Sequence, residues 1–253
     1  MASYDKEKAK EYWDCESTES MYDKNWLAAE IELIRSRLTP SSRILDAGCG
    51  EGEGVLVYAE IPDVTIDAAD FSETRLRMAA ERLKDKRNVS FKKIDFTETV
   101  ALEPNFDYVI SQRFLINILD WDEQKVVLLR LMNLLVPNGH LLLMEGSKKA
   151  VDELNEFRAF FGLPPINVKW HNLFLDDELL NCFMDANGFT LAEHTGLGTY
   201  YFLTRGVQPI FNPSPNWDSR FNEISSQSDL QNAVGLTTRF SRIKLWVFKK
   251  RSP

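Results

Sequence analysis

The stretch Arg43–Gly54, with the sequence RILDAGCGEGEG, joins a short apolar run to a turn rich in glycine. The residues before the turn are typical of a buried β-strand. Gly48, Gly50 and Gly52 occupy alternate positions, where the absence of a side chain lets the backbone pass close to a ligand. The helix expected next presents unpaired N–H groups at its first turn, which favour a negatively charged ligand group. The stretch therefore predicts a ligand site at the end of a strand in an α/β sheet.

The hydrophobic period changes repeatedly on both sides of this stretch, which predicts strands that alternate with helices. Strands are predicted at 43–47, 64–70, 89–94, 106–111, 140–144, 189–195 and 242–249. Helices are predicted at 22–38, 53–60, 73–84 with Ser72 as N-cap, 122–135, 149–161 and 176–187. Such alternation is typical of βαβ units. We therefore expect an α/β fold with a doubly wound, mostly parallel, seven-stranded sheet.

The composition argues against several classes of partner. The 253 residues carry 30 Lys and Arg against 38 Asp and Glu, a formal net charge of −8. Because a phosphate backbone or an anionic lipid surface is bound through clustered basic residues, we expect neither nucleic acid nor membrane as a partner. Three widely spaced cysteines, Cys15, Cys49 and Cys182, indicate neither a disulfide framework nor a thiolate metal site. Without a signal-peptide or membrane-span pattern, a cytoplasmic protein is expected; its oligomeric state stays open.

A nicotinamide dinucleotide is the weaker choice of ligand for the glycine turn. The dinucleotide fingerprint is G-x-G-x-x-G, and its sixth position counted from Gly48 is Glu53. A glutamate there would crowd and repel a pyrophosphate. Hydride transfer from a nicotinamide is therefore the weaker interpretation of the turn.

An acid followed by x-G-x-G-x-G, formed here by Asp46, Gly48, Gly50 and Gly52, resembles the first motif of the class I S-adenosylmethionine-dependent methyltransferases. The resemblance extends over residues 40–147. It implies S-adenosylmethionine as cofactor, S-adenosylhomocysteine as product, and these four residues around the amino-acid part of the cofactor. Asp70, at the end of the second strand, would accept the two ribose hydroxyls, or else would only cap the helix that follows.

The same resemblance implies further cofactor contacts. Asp95 follows the third strand, where similar enzymes use an acid on the adenine amino group, and apolar neighbours such as Phe96 would pack on the ring; an Asp is also a common turn residue. Phe71 and Ser111, at the ends of the second and fourth strands, complete the predicted cofactor site. The fourth strand lacks the N-P-P-Y-type sequence of enzymes that methylate DNA amines, and no magnesium-binding acids are evident. No metal is expected.

Side chains outside the predicted cofactor site resemble those of a bacterial subgroup that methylates small molecules, sugars among them. The predicted substrate residues are Arg113, Asn117, Arg158, Asn172, Tyr200, Tyr201 and Arg205. The three arginines would suit a carboxylate or a phosphate, although each could pair with a local acid instead. We expect a single methyltransferase domain over 1–253, with 1–39 as a helical lid, 40–147 as cofactor-binding core, and 148–188 and 199–241 as segments that cover the substrate.

His171 is the predicted catalytic base, because it lies in a covering segment and imidazole titrates near neutral pH. Glu145, at the end of the fifth strand, is the next candidate. The favoured function is transfer of a methyl group to an oxygen of a small polar metabolite or sugar, anionic if the arginines bind it. N-methylation of a small amine or amino sugar and binding of the cofactor without catalysis are the alternatives. Tyr12, Trp13, Tyr22 and Trp26 could close over the cofactor or belong to the core.

Overall fold

The chain forms one seven-stranded sheet with helices on both faces. The computed structural model describes residues 6–15, 21–98 and 100–252. The strands are β1 (Arg43–Ala47), β2 (Thr65–Asp70), β3 (Val89–Lys93), β4 (Phe106–Gln112), β5 (Leu135–Gly146), β6 (Phe189–Gly196) and β7 (Ile243–Lys250). Their order in the sheet is β3-β2-β1-β4-β5-β7-β6, and β7 alone runs antiparallel to its neighbours. The predicted doubly wound, mostly parallel, seven-stranded α/β fold is confirmed.

The described residues form eleven α-helices, of which six correspond to the predicted helices. They are α1 (Lys6–Asp14), α2 (Lys24–Arg35), α3 (Glu53–Tyr58), α4 (Glu73–Arg82), α5 (Trp121–Asn133), α6 (Lys148–Ala159), α7 (Asp177–Ala186), α8 (Gly198–Tyr201), α9 (Gln208–Phe211), α10 (Arg220–Ser226) and α11 (Ser228–Val234). Ser72 caps α4 as predicted, since its side chain accepts a hydrogen bond from the Arg75 N–H at 3.0 Å. No helix of the described residues has the length and the apolar run needed to cross a membrane.

Two apolar cores form because the central strands bury side chains on both faces of the sheet. Alternate residues of β1 show this directly: Ile44 packs in one core and Leu45 in the other, and neither is exposed. Helices α2 and α3 close the first core, whereas α5 and α7 close the second. The carboxyl ends of the parallel strands are thereby held at one edge.

The region after α5 differs from the prediction. The helix ends at Asn133 rather than Leu135, and β5 begins at Leu135 rather than His140. Leu135 pairs with Phe106 of β4, and the Phe106 N–H donates to the Leu134 carbonyl at 3.1 Å. Strand pairing therefore takes up residues that the hydrophobic period alone assigns to the helix.

Segment 199–241, for which no helix was predicted, is largely helical. It contains α8, a π-helical stretch (Phe202–Val207), α9, α10 and α11, all too short to show a helical period in the sequence. It packs on the start of α2, where Tyr200 Oη donates to the Asp23 carboxylate at 2.7 Å and Asn222 donates to Tyr200 Oη at 3.1 Å. None of its described residues lines the cavity at the carboxyl edge. The expectation that 199–241 covers the substrate is corrected, because its polar side chains are used to hold α2.

Candidate active site

A cavity of about 230 Å³ opens at the carboxyl ends of β1, β2 and β4. The turns after β1, β2 and β3 form one side, which we call the cofactor half. The other side, which we call the acceptor half, consists of residues from the start of α2, from the turn 113–118 after β4, from 169–174 and from 242–243 at the start of β7. Helix α1 contributes Lys6, Ala9, Lys10, Tyr12 and Trp13 across the mouth.

The glycine turn shapes the cofactor half. The Gly48 and Cys49 N–H groups both donate to the Ala69 carbonyl, at 2.8 and 3.0 Å, which fixes the turn against β2. Gly48 has φ +76°, and a Cβ there would lie 2.6 Å from Phe114 Cβ. Gly50 has φ +54°, yet a Cβ there would meet no atom within 4 Å, so its backbone is open towards the cavity. Both positions need glycine, and the second leaves room for a ligand.

Gly52 serves a different purpose from the other two glycines. It has φ +75°, and a Cβ there would lie 2.8 Å from Leu83 at the end of α4. It does not line the cavity. Its predicted role as a cofactor contact is corrected: Gly52 allows the start of α3 to pack closely on α4.

The two acids of the cofactor half differ in their partners. Asp70 accepts from the Gly50 N–H through Oδ2 and from the Ser72 N–H through Oδ1, both at 2.9 Å. It therefore does brace the start of α4, and each oxygen keeps a second lone pair for a ligand hydroxyl. The Asp46 carboxylate, by contrast, makes no hydrogen bond or ion pair with a described side chain or backbone group. Burial and the nearby Asp70 raise the pKa of Asp46 to about 7.

These features fit the predicted cofactor. A buried acid without a protein cation beside it favours a positively charged ligand group, which the ammonium and sulfonium of S-adenosylmethionine supply. The open backbone at Gly50 leaves space for the amino-acid part, and the Asp70 oxygens can accept from ribose hydroxyls. The chemistry of the residues present therefore matches the group that the sequence motif implies.

Asp95 and Phe96 also line the cofactor half, as does Phe71. Asp95 accepts from the Thr97 N–H at 2.9 Å and forms an ion pair with Lys10 of α1. The acid expected for the adenine amino group is therefore shared with the helix that crosses the mouth. A base bound at Asp95 would compete with Lys10 for this carboxylate.

Helix α1 is anchored to α4. The Arg75 guanidinium donates to the carbonyls of Trp13 and Cys15, each at 3.1 Å, and Ser72 Oγ donates to Asp14 Oδ1 at 2.5 Å. The anchoring brings Tyr12 and Trp13 over the cavity, as a lid would. The sequence left open whether Trp26 closes over the cofactor or belongs to the core. Trp26 is buried in the first core and also lines the cavity.

His171 lies beneath Tyr12 and Trp13 of α1. Its ring stacks on Tyr12 with centroids 4.6 Å apart, and Trp13 meets it edge-on at 5.3 Å. The residue is 4% exposed, and its Nδ1 is buried without a hydrogen-bond partner among the described residues. Burial, helped by the charge of Lys169, lowers the pKa of His171 to about 4. The imidazole is therefore neutral at physiological pH.

Glu145 does not face the cavity, and its prediction as a base is corrected. Its carboxylate is fully buried and accepts from Ser111 Oγ at 2.7 Å and from the N–H groups of Phe114, Leu115 and Ile116 at 3.0 to 3.3 Å. Burial raises the pKa of Glu145 to about 7, although the four hydrogen bonds lower it. The residue thus holds the turn that carries Arg113 and Asn117.

Ser111 is likewise corrected as a cofactor contact. It is fully buried, it does not line the cavity, and its hydroxyl donates to Glu145. Asn117 and Asn172 do line the acceptor half and are joined by a hydrogen bond of 2.9 Å from Asn172 Nδ2 to Asn117 Oδ1.

The three arginines predicted to bind the substrate lie in different environments. Arg113 lines the cavity, with its Nε 3.6 Å from Glu30 Oε2. Arg158 donates to the carbonyls of Pro164 and Arg205, and Arg205 pairs with Asp23 at 2.6 Å. Arg158 and Arg205 therefore serve structural contacts away from the cavity, and their predicted substrate roles are corrected. Their partners are main-chain carbonyls and a distant acid, not the local acids that the sequence offered as the alternative.

Tyr200 and Tyr201 are corrected for the same reason. Both are fully buried outside the cavity. Tyr200 donates to Asp23, and Tyr201 packs edge-on against Trp26 with ring centroids 4.9 Å apart.

Sequence reasoning missed Arg242 and Lys169, both of which line the cavity. Arg242 directly precedes β7. Because β7 runs antiparallel to β5, its amino end lies at the carboxyl edge of the other strands. The sequence feature that could have indicated Arg242 is its position as a basic residue directly before the last strand. Lys169 stands two residues before His171 and offered no pattern of its own.

Comparison with known proteins agrees with this geometry. Residues 44–139 match a family model described as a methyltransferase domain. The chain is 27% identical over 206 residues to the ubiquinone/menaquinone biosynthesis C-methyltransferase UbiE of Vibrio cholerae, covering 72% of this chain and 74% of that protein.

Two solved structures show the same fold. The N-methyltransferase NodS of Bradyrhizobium japonicum in complex with S-adenosylhomocysteine aligns with a TM-score of 0.60 at 13% identity, covering 97% of this chain and 98% of NodS. The phosphoethanolamine N-methyltransferase 1 of Haemonchus contortus aligns with a TM-score of 0.65 at 17% identity, covering 98% of this chain and 49% of that one. In its acid-and-glycine turn, its sheet order and these matches, the chain is similar to the class I S-adenosylmethionine-dependent methyltransferases, and the matched methyltransferase domain spans residues 44–139.

Proposed function

We propose that the protein transfers the methyl group of S-adenosylmethionine to an oxygen atom of a small polar molecule, with His171 as the general base. The observation that carries the proposal is a neutral, buried imidazole in the same cavity as the glycine turn. The volume of the cavity, about 230 Å³, and the α1 residues across its mouth favour a small acceptor over a macromolecule.

The cofactor half would hold S-adenosylmethionine through residues already described. Asp46 would face a cationic group, the backbone at Gly48 and Gly50 would lie against the amino-acid part, and Asp70 would accept from the ribose. Asp95 would accept from adenine beside Phe96. When bound, the cofactor supplies a methyl group made electrophilic by its sulfonium.

His171 would accept the proton of the acceptor hydroxyl. An imidazole with a pKa of about 4 is unprotonated at working pH and so ready to accept a proton, although it is a weaker base than free histidine. The rings of Tyr12 and Trp13 enclose it and exclude water, which strengthens polar interactions within the site. Asn117 and Asn172 would orient the acceptor through their paired amides.

N-methylation is the second candidate, because both structural relatives named above are N-methyltransferases. A neutral amine acceptor needs positioning and no base before transfer. In that case the lowered pKa of His171 would serve only to keep a second positive charge out of the cavity.

The test is turnover of a metabolite extract with isotopically labelled S-adenosylmethionine, followed by mass spectrometry and NMR of the labelled product. We expect the label on oxygen, and we expect it to be lost with His171→Ala and kept with His140→Ala, a histidine that stacks on Tyr108 outside the cavity. Label on nitrogen that persists in His171→Ala contradicts the proposal and favours the second candidate.

A further inference from the structure

We propose that Arg242, together with Arg113, binds an oxyanion of the methyl acceptor, a carboxylate or a phosphate, in the acceptor half of the cavity. The inference rests on the proposed function only in that the molecule bound is its acceptor. Neither arginine is part of the cofactor half.

Arg242 lacks the partners that a structural arginine has. Its side chain lines the cavity, its Nε is buried without an acceptor, and its guanidinium makes no ion pair with a described residue. Its guanidinium carbon lies 5.2 Å from the centre of the Phe174 ring. Arg158 shows the contrast, since its Nε and Nη2 donate to the Pro164 carbonyl at 3.0 and 2.7 Å. A buried N–H group such as that at Arg242 Nε is costly to leave without an acceptor unless a ligand supplies one.

Positive charge is in excess around this position. Arg113, Arg242 and Lys169 all line the cavity, and Glu30 is 3.6 Å from Arg113. Arg113 is also held 5.5 Å from the Trp26 ring, which directs it along the cavity wall. Lys169 is exposed at the mouth, where it would attract an anion without ordering it. Of these three positive charges in the acceptor half, the Glu30 carboxylate balances one. A negatively charged group of the acceptor would balance the charge that is left.

The walls beside the arginines are aromatic, formed by Tyr22, Trp26 and Phe174. A planar guanidinium binds a carboxylate or a phosphate through two parallel hydrogen bonds, and flat apolar walls suit a ring attached to that group. Small aromatic acids are therefore suitable probes, whatever the natural acceptor is.

The test is calorimetric titration of the full chain, loaded with S-adenosylhomocysteine, with benzoate, phenyl phosphate and the neutral benzamide. We expect at least one of the two anions to bind about tenfold more tightly than benzamide or better. The tighter anion identifies which oxyanion the site prefers. Arg242→Met should abolish the preference, whereas Arg242→Lys should keep part of it.

Arg239→Met is the matched control, because Arg239 lies three residues earlier, is exposed and does not line the cavity. It should keep the full preference. Equal binding of all three probes to the unmodified protein, or a preference that Arg242→Met leaves unchanged, overturns the inference. If Arg242→Met fails to fold, the charge-retaining Arg242→Lys decides, since its affinity for the anion must fall while that for benzamide stays. Anion binding in a protein that methylates no extract component would contradict the proposed function and leave the oxyanion site intact.

Discussion

The two halves of the cavity are built in different ways. The cofactor half consists of backbone turns and acids at the ends of β1, β2 and β3, all within residues 46–97. The acceptor half is assembled from side chains far apart in the chain, such as Arg113, His171 and Arg242. Consecutive βα turns fix the first half locally, whereas the second depends on tertiary packing. The difference predicts that substitutions in one half leave the other half working.

The largest effect is expected from His171→Ala. If His171 is the base, its loss should lower kcat by about 10² to 10⁴-fold. The affinity for S-adenosylhomocysteine should stay nearly unchanged, because His171 is in the acceptor half. Steady-state kinetics and calorimetry on the same preparation measure both quantities. A fall in kcat of less than about threefold would mean that positioning alone suffices.

Arg205→Met should separate stability from function. The substitution leaves Asp23 buried without its ion pair of 2.6 Å, and breaking such a pair costs about 3 to 5 kcal/mol of unfolding free energy. Urea unfolding measures the loss. Below the melting transition, cofactor affinity and kcat should match those of the unmodified protein. A rise in KM with an unchanged free energy of unfolding would contradict this expectation and indicate that Arg205 binds the substrate.

Asp70→Ala should act on the cofactor half alone. Removing an acid that accepts hydrogen bonds from a ligand costs about 1.5 to 3 kcal/mol, or about ten to a hundredfold in affinity for S-adenosylhomocysteine. Because Asp70 also accepts from the Gly50 and Ser72 N–H groups, part of the loss would come from the turn itself. Asp67→Ala is the control, since Asp67 is on the same strand and pairs with Arg43 away from the cavity. Equal affinities for the two variants would place the ribose elsewhere.

The smallest effect expected is that of pH on the imidazole. A base must be unprotonated, and burial lowers the pKa of His171 to about 4, so its contribution to kcat/KM should be lost only as the pH falls through about 4. Between pH 5 and 8 the profile should show no limb caused by His171. A limb near pH 6.5 that disappears in His171→Ala would show that the imidazole is more hydrated than the enclosure by Tyr12 and Trp13 implies.

What could be predicted from the sequence follows the same division. The strand ends at Asp46, Asp70 and Asp95 were predictable because period changes and one glycine motif mark them locally. Arg205 and Tyr200 were misassigned because their partner, Asp23, lies far away in the sequence and no local pattern shows it. Arg158 was misassigned because it donates to main-chain carbonyls, which no side-chain pattern marks. Glu145 was misassigned although it was correctly placed at a strand end. Its side chain points towards the turn 114–116, where three N–H groups donate to it, and the Ser111 hydroxyl of β4 is the fourth donor.

The division of the cavity is tested most directly by a crystal structure of the protein with S-adenosylhomocysteine. We predict adenine beside Phe96 with its amino group at Asp95, Lys10 withdrawn from that acid, the ribose at Asp70, and the sulfur directed towards the space between the glycine turn and His171. A ligand whose sulfur points away from His171, or whose adenine lies in the acceptor half beside Arg113 and Arg242, would contradict the assignment of both halves.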